Sequence, residues 1–262
     1  MKNYDSHLHL GDYNKSIHII KKSQYRNKYK LYSAIEPKVI LTEDEYINKL
    51  DAFFAIPLFF KESNIEECNN YVEAYCNRTN KGIPVFIIND NMFFKHNYYI
   101  ALFKEHFLLN NFENWKNRSL YYEYLSNNEG FLLLHSKDNI RIEYIKLLLE
   151  NFPKMNIIIA HLGRDTYETQ NFINAVLDTF KNNNRIYFDI STIHYLDNIK
   201  NAINKVGSER LLFGSDFPFE ILNYDIIFKY KEILANILSI EESENIFEKN
   251  FEGIRKRTYV KK

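Results

Sequence analysis

Glycine and proline are scarce in this chain, with 7 and 5 in 262 residues. Phosphate-cradling loops need glycine where backbone approaches the ligand, and neither G-x-G-x-x-G nor G-x-x-x-x-G-K-[ST] occurs. An open, doubly wound nucleotide-binding sheet therefore loses its main support. Cysteine is nearly absent as well. Cys68 and Cys76 fall on one face of a predicted helix and read as buried thiols, not as a disulfide or a ligand pair, which fits a reducing cytoplasm. Neither sign of charge is in excess, with 34 Lys and Arg against 34 Asp and Glu. That balance argues against nucleic acid or an anionic membrane as the main partner. No run of about 18 apolar residues is present, so no membrane-spanning helix is expected. Asp5, His7 and His9 also interrupt any stretch resembling a signal peptide.

What the chain does have is apolar and aromatic residues, 45% and 16% of the total, enough for a substantial core. They fall into eight short runs: 4–10, 52–60, 84–90, 99–107, 130–136, 155–163, 185–191 and 210–218. Each has the length of a strand and is almost continuously hydrophobic, the signature of strands buried on both faces. Segments with helical spacing lie between them, at 42–50, 63–79, 114–127, 139–152, 170–182, 197–207 and 224–238. Thr42 and Glu45 form a capping-box pattern, and Gly207 is a helix stop. The stretch from Asp90 to Tyr99 is too short for a full helix. Strand–helix alternation of this kind predicts a parallel sheet, and eight units in one domain spanning 1–262 predict a slightly abbreviated (β/α)8 barrel with a C-terminal helix.

Chemistry in such a barrel sits at the C-terminal ends of the strands. The segment DSHLHLG opens the chain with His7 and His9 one residue apart. In a strand, positions i and i+2 share a face, so the two imidazoles project together and begin a metal site. Lys104 and His106 end the fourth run in the same way, His135 ends the fifth, His161 the sixth and Asp216 the eighth. His7, His9, His135, His161 and Asp216 thereby converge on one mouth, with Lys104 and His106 beside them. His18, His96 and His194 read as structural residues. Tyr13 and Trp115 follow motif-bearing strands and are candidates for the pocket wall. The basic stretch from Lys15 to Lys38 reads as a solvated face, with a lid attracting an anionic substrate as the alternative.

DSHLHL, FKEHF, LLLHS, IIIAHLGRD and LLFGSDFPF, in this order and spacing, resemble the amidohydrolase superfamily, and in particular its amidohydrolase-related (amidohydrolase 2) branch. The likeness runs from Asp5 to about Phe219, and the tail ENIFEKNFEGI with Asn250 resembles that branch's closing helix. It implies a (β/α)8 barrel in which His7, His9, His135 and Asp216 bind a divalent metal, zinc first, with Mn, Fe or Ni as alternatives. His161 and Asp216 would be catalytic. His161 would polarise the substrate, or bind a second ion together with His135, with Lys104 as a carbamylated bridge. Lys104, His106, His161 and Arg164 are thus the candidates for a second metal or for substrate contacts. The branch commonly shows K-x-H-P on strand four. Here Phe107 replaces the proline and Glu105 looks like an insert, which leaves the backbone path there open. A bound ion of this kind lowers the pKa of water to about 7. Asp216 would take the water's proton and pass it to the leaving group.

The expected activity is hydrolysis of an amide, ester or lactone in a small molecule, an anionic one if the basic stretch serves as a lid. The expected compartment is the cytoplasm, with oligomeric state left open. A non-oxidative decarboxylase or other lyase on the same site is the alternative, and a non-catalytic binding barrel a third reading. TatD-like nucleases share the opening motif but not GSDFP. PHP phosphoesterases need more histidines and acids early in the chain.

Overall fold

In a computed structural model, the residues described are 2–11, 46–59, 63–90, 99–135, 141–164, 169–219 and 224–259. Thr42, Glu45, Tyr13, His18, His96, the 15–38 basic stretch and the centre of the 90–99 connection lie outside them.

All eight apolar runs form strands, and every strand pair is parallel. They are β1 (Tyr4–Leu10), β2 (Ala52–Pro57), β3 (Gly82–Pro84), β4 (Phe86–Ile87), β5 (Leu102–His106), β6 (Phe131–His135), β7 (Asn156–Ile159), β8 (Ile186–Asp189) and β9 (Leu211–Leu212). β3 and β4 are two pieces of one run, interrupted at Val85. Ladders join β1-β2-β3 and β4 through β9 in chain order. Backbone hydrogen bonds bridge the two seams: Val85 N donates to Ala55 O at 2.8 Å at one, and Ser6 N to Phe213 O at 2.9 Å and His9 N to Phe217 O at 2.8 Å at the other. The result is a (β/α)8 barrel. Its strands are buried almost throughout, from Tyr4–Leu10 to Leu211–Leu212, because helices cover the outside and side chains fill the inside.

The helices Ile65–Thr79, Ser119–Asn127, Arg141–Asn151, Gln170–Phe180, Leu196–Val206 and Tyr224–Ile237 fall where the periodicity places them, and Asn250–Thr258 follows in the tail that resembles the family's closing helix. Asn64 caps the first, accepting from Glu66 N and Glu67 N. Gly207, at φ +81°, ends the fifth with its N–H on Ile203 O at 2.9 Å. Asn250 spends both hydrogens of its side-chain amide on Ser208 O at 2.8 Å and Leu211 O at 2.7 Å, clamping the closing helix to the start of β9. Two buried carbonyls lose their donor in Asn250→Ala, so a loss of about 1–3 kcal/mol is expected. Urea midpoints of the two proteins measure it.

Three details correct the sequence expectations. Cys76 is buried, but Cys68 is only half-buried, and both are free thiols. Trp115 is not at the barrel mouth. It sits in the 3-10 turn Phe112–Arg118 with its ring 6.1 Å from Phe152, in an outer groove between the helices Ser119–Asn127 and Arg141–Asn151. Nor is Glu105 an insert. β5 pairs with β6 without a break, from Leu102↔Phe131 to His106↔His135. Alternation turns Lys104 into the barrel and Glu105 out to the helix layer. There Glu105, fully buried, accepts from Tyr122 at 2.8 Å and Tyr144 at 2.9 Å and pairs with buried Arg118 at 2.9 Å. Arg118 also contacts Asp90. Among the described residues, no helix is long and apolar enough to cross a membrane.

Candidate active site

β1 delivers His7 and His9 to the interior. The Nδ1 of His7 lies 2.9 Å from Asp189 Oδ2, and that of His9 lies 3.1 Å from Pro57 O. Those acceptors orient the rings, so both Nε2 atoms face the mouth. There Asp216 Oδ1 lies 3.4 Å from His7 Nε2 and 3.3 Å from His9 Nε2. Asp216 reaches this point because its backbone takes the left-handed conformation (φ 55°), which aspartate tolerates better than most residues. Its own N–H on His7 O at 2.7 Å ties it to β1. Beneath them Asp5, fully buried, accepts from His7 N, Ser215 N, Ser215 Oγ and Tyr46 Oη, joining the floor of the first strand to the last.

Lys104 comes up from β5 with its amine 2.8 Å from His7 Nε2 and 3.5 Å from His9 Nε2. Burial pulls its pKa down to about 8, against the pull of Asp216 and Asp189. His161 ends β7 in a left-handed turn (φ 55°), its ring stacked on His7 at 4.9 Å. His135 lies 4.7 Å, ring to ring, from His161 and 4.4 Å from His106. His106 accepts from Leu108 N at 3.1 Å and abuts Phe59 and Phe107. Arg164 donates through Nε (3.2 Å) and Nη2 (2.8 Å) to Thr192 Oγ1 at the same rim. Burial above all, and then nearby cations and imidazoles, hold His7, His9, His106 and His135 well below the usual histidine range. Burial dominates at His161 too, opposed by Asp189. All eight sequence-predicted site residues thus gather at one mouth.

The donor set suits a divalent ion. The imidazoles are neutral, the carboxylate is adjacent, and His7 and His9 are oriented by acceptors behind them, as metal-binding histidines generally are. His7, His161 and Asp216 each offer a ligand atom within 4.8 Å of the other two.

Two residues of this centre escaped the sequence reading, Asp189 and Ser191. The signal was there, since the run 185–191 ends in Asp-Ile-Ser.

Residues 108–250, more than half of the chain, match the family model described as Amidohydrolase, and the chain belongs to that family. The matched span includes His135, His161 and Asp216, while His7, His9, Lys104 and His106 precede it. No curated protein sequence matches the chain. Among solved structures it is similar to an amidohydrolase from Burkholderia multivorans with bound zinc, at 13% identity and TM-score 0.68 over 99% of both chains. An uncharacterised TIM-barrel protein from Bordetella bronchiseptica gives 14% identity and TM-score 0.70 over 98% of this chain and 99% of that one. A 2,6-dihydroxybenzoate decarboxylase in complex with 2,6-dihydroxybenzoate gives 12% and 0.60, again over 98% and 99%. At such identities the likeness establishes the fold.

Proposed function

We propose that this chain is a metal-dependent hydrolase of a small molecule bearing an amide, ester or lactone carbonyl. The observation that carries the reading is the position of Asp216 Oδ1, 3.4 Å from His7 Nε2 and 3.3 Å from His9 Nε2 at the barrel mouth. His7, His9, His135 and Asp216 would hold one divalent ion. Zinc is favoured because it takes imidazole and carboxylate together, and the Burkholderia multivorans relative carries it; Mn, Fe and Ni suit the same ligands. When bound, the ion supplies Lewis acidity, polarising a carbonyl and acidifying water. Asp216 accepts the proton of the attacking water and delivers it to the leaving atom. Arg164 and Lys104 place positive charge at the rim and floor, so an anionic substrate is favoured. His106 packs against Phe59 and Phe107, which would give a substrate apolar surface beside the charged groups. The free thiols fit a reducing cytoplasm.

The test is metal content by mass spectrometry on protein purified without chelator. About one equivalent per wild-type chain is expected, falling to background in His7→Ala/His9→Ala. The loaded protein is then screened against lactones, esters and amides, and against aromatic carboxylic acids with carbon dioxide detection. Release of carbon dioxide would move the assignment to a decarboxylase, the activity named for one structural relative. A wild-type chain that takes up neither Zn²⁺ nor Mn²⁺ on reconstitution would overturn the metal reading.

A further inference from the structure

Asp189 is fully buried at the end of β8, and the groups around its carboxylate are hydrogen-bond donors or imidazoles. Its Oδ2 lies 2.9 Å from His7 Nδ1. Its Oδ1 accepts from His161 N at 3.1 Å, from Ser191 N at 3.0 Å and from the Ser191 hydroxyl. A carboxylate offers acceptors only, so the Nδ1 of His7 must carry the hydrogen. On the other side of the ring the amine of Lys104 stands 2.8 Å from His7 Nε2.

The second imidazole follows from the first by proton bookkeeping. The one hydroxyl hydrogen of Ser191 is committed to Asp189. Ser191 Oγ can therefore only accept from His161 Nδ1, 2.8 Å away. The Ser191 carbonyl, 3.1 Å from that nitrogen, is likewise an acceptor, and Thr192 Oγ1 lies 3.2 Å off in the same cluster. His161 must then be the Nδ1–H tautomer too, with its Nε2 lone pair free to face the mouth.

We propose that Asp189, acting directly on His7 and through Ser191 on His161, is the positioning residue that locks both imidazoles in one tautomer and presents two Nε2 lone pairs to the mouth. The lock deepens the metal-hydrolase reading and rests on it for its purpose, not for its geometry. It also decides between two roles for His161. A ring with a lone pair at Nε2 serves as a ligand or a proton acceptor, whereas polarising a substrate carbonyl would need N–H there. With His7 and Asp216, His161 forms the one trio of candidate ligand groups found among the described residues. At the left-handed turn of His161 its N–H is held on Asp189 while its ring reaches the Ser191 hydroxyl.

The experiment is long-range proton–nitrogen NMR of the full chain with 15N-labelled histidine, metal-free and then titrated with Zn²⁺ against a chromophoric chelator. The wild-type protein is expected to show pyrrole-type Nδ1 and pyridine-type Nε2 for both His7 and His161. Asp189→Asn places an amide where a pure acceptor stood. It is expected to convert part or all of His7 to the Nε2–H tautomer and to weaken Zn²⁺ binding about 10–100-fold. Ser191→Ala leaves the carbonyl acceptor, so His161 should keep its tautomer and Zn²⁺ binding should weaken less. A merely structural role for Asp189 would change stability without inverting a tautomer. An Nε2–H signal for either ring in the metal-free wild type would overturn the proposal, and needs no variant to fold. Unchanged His7 signals and Zn²⁺ affinity in Asp189→Asn would also overturn it. Nδ1–H rings in a wild-type chain that binds no Zn²⁺ would support the lock and remove the metal reading instead.

Discussion

Asp216→Asn is expected to leave the fold intact and to lower kcat about 10²–10⁴-fold, the range for removing a positioned acid–base group. Asparagine is the informative replacement because it shares aspartate's tolerance of the left-handed backbone (φ 55°) that Asp216 adopts. The N–H bond to His7 O, 2.7 Å long, is therefore kept. What is lost is the negative charge 3.3–3.4 Å from two imidazoles, and with it a proton acceptor. Metal content separates the two contributions. If the Asp216→Asn protein, reloaded to full occupancy, still shows the deficit, the loss belongs to proton transfer. A variant within a few-fold of wild type would sink the assigned role, whatever the metal does.

The second expectation concerns stability. Glu105 and Arg118 are both fully excluded from solvent and pair at 2.9 Å, with two tyrosine hydroxyls completing the carboxylate's shell. Burial pushes the Glu105 carboxyl up, against the opposing pull of Arg118 and the two hydroxyls. Glu105→Ala leaves a buried guanidinium with Asp90 as its only carboxylate partner among the described residues, so a cost of about 3–5 kcal/mol is expected. At roughly 2–4 °C per kcal/mol for a domain of this size, the melting temperature should fall by roughly 6–20 °C. Glu105→Leu/Arg118→Met, which removes both charges and keeps the volume, should recover much of the loss. A single variant that melts within about 2 °C of wild type would show that the pair carries little net stability.

The barrel was readable because parallel strands buried on both faces leave an unbroken apolar run, and each of the eight runs here does so. The cluster at the mouth was readable for a related reason: a polar residue ending such a run stands out. His7, His9, Lys104, His135, His161 and Asp216 were all found that way. Asp189 ends a run just as clearly, but an aspartate after a strand also suits a turn or a helix cap, and it is noticed only once its partners across the barrel are known. Glu105 looked anomalous for the opposite reason. Its neighbour Lys104 faces inward, and only the strand's alternation, together with tyrosines 17 and 39 residues onward, explains a charge in the outer layer. Trp115 was misplaced because following a motif-bearing strand in sequence does not put a residue at the mouth; it lies in the 3-10 turn Phe112–Arg118 with its ring against Phe152.

The seam between β1 and the last strand has a consequence for the order in which this molecule matures. Ser6 reaches Phe213 across 207 residues and Ser215 reaches Asp5 across 210, and the site's two halves lie on either side of that join. Contacts of such sequence separation are costly to close and form late. His7, His9, His135 and His161 all precede position 216 in the chain, so the carboxylate is the last of these groups to be made. On the role proposed for Asp216, the cluster at the mouth is complete only once this join between the first and last strands has closed.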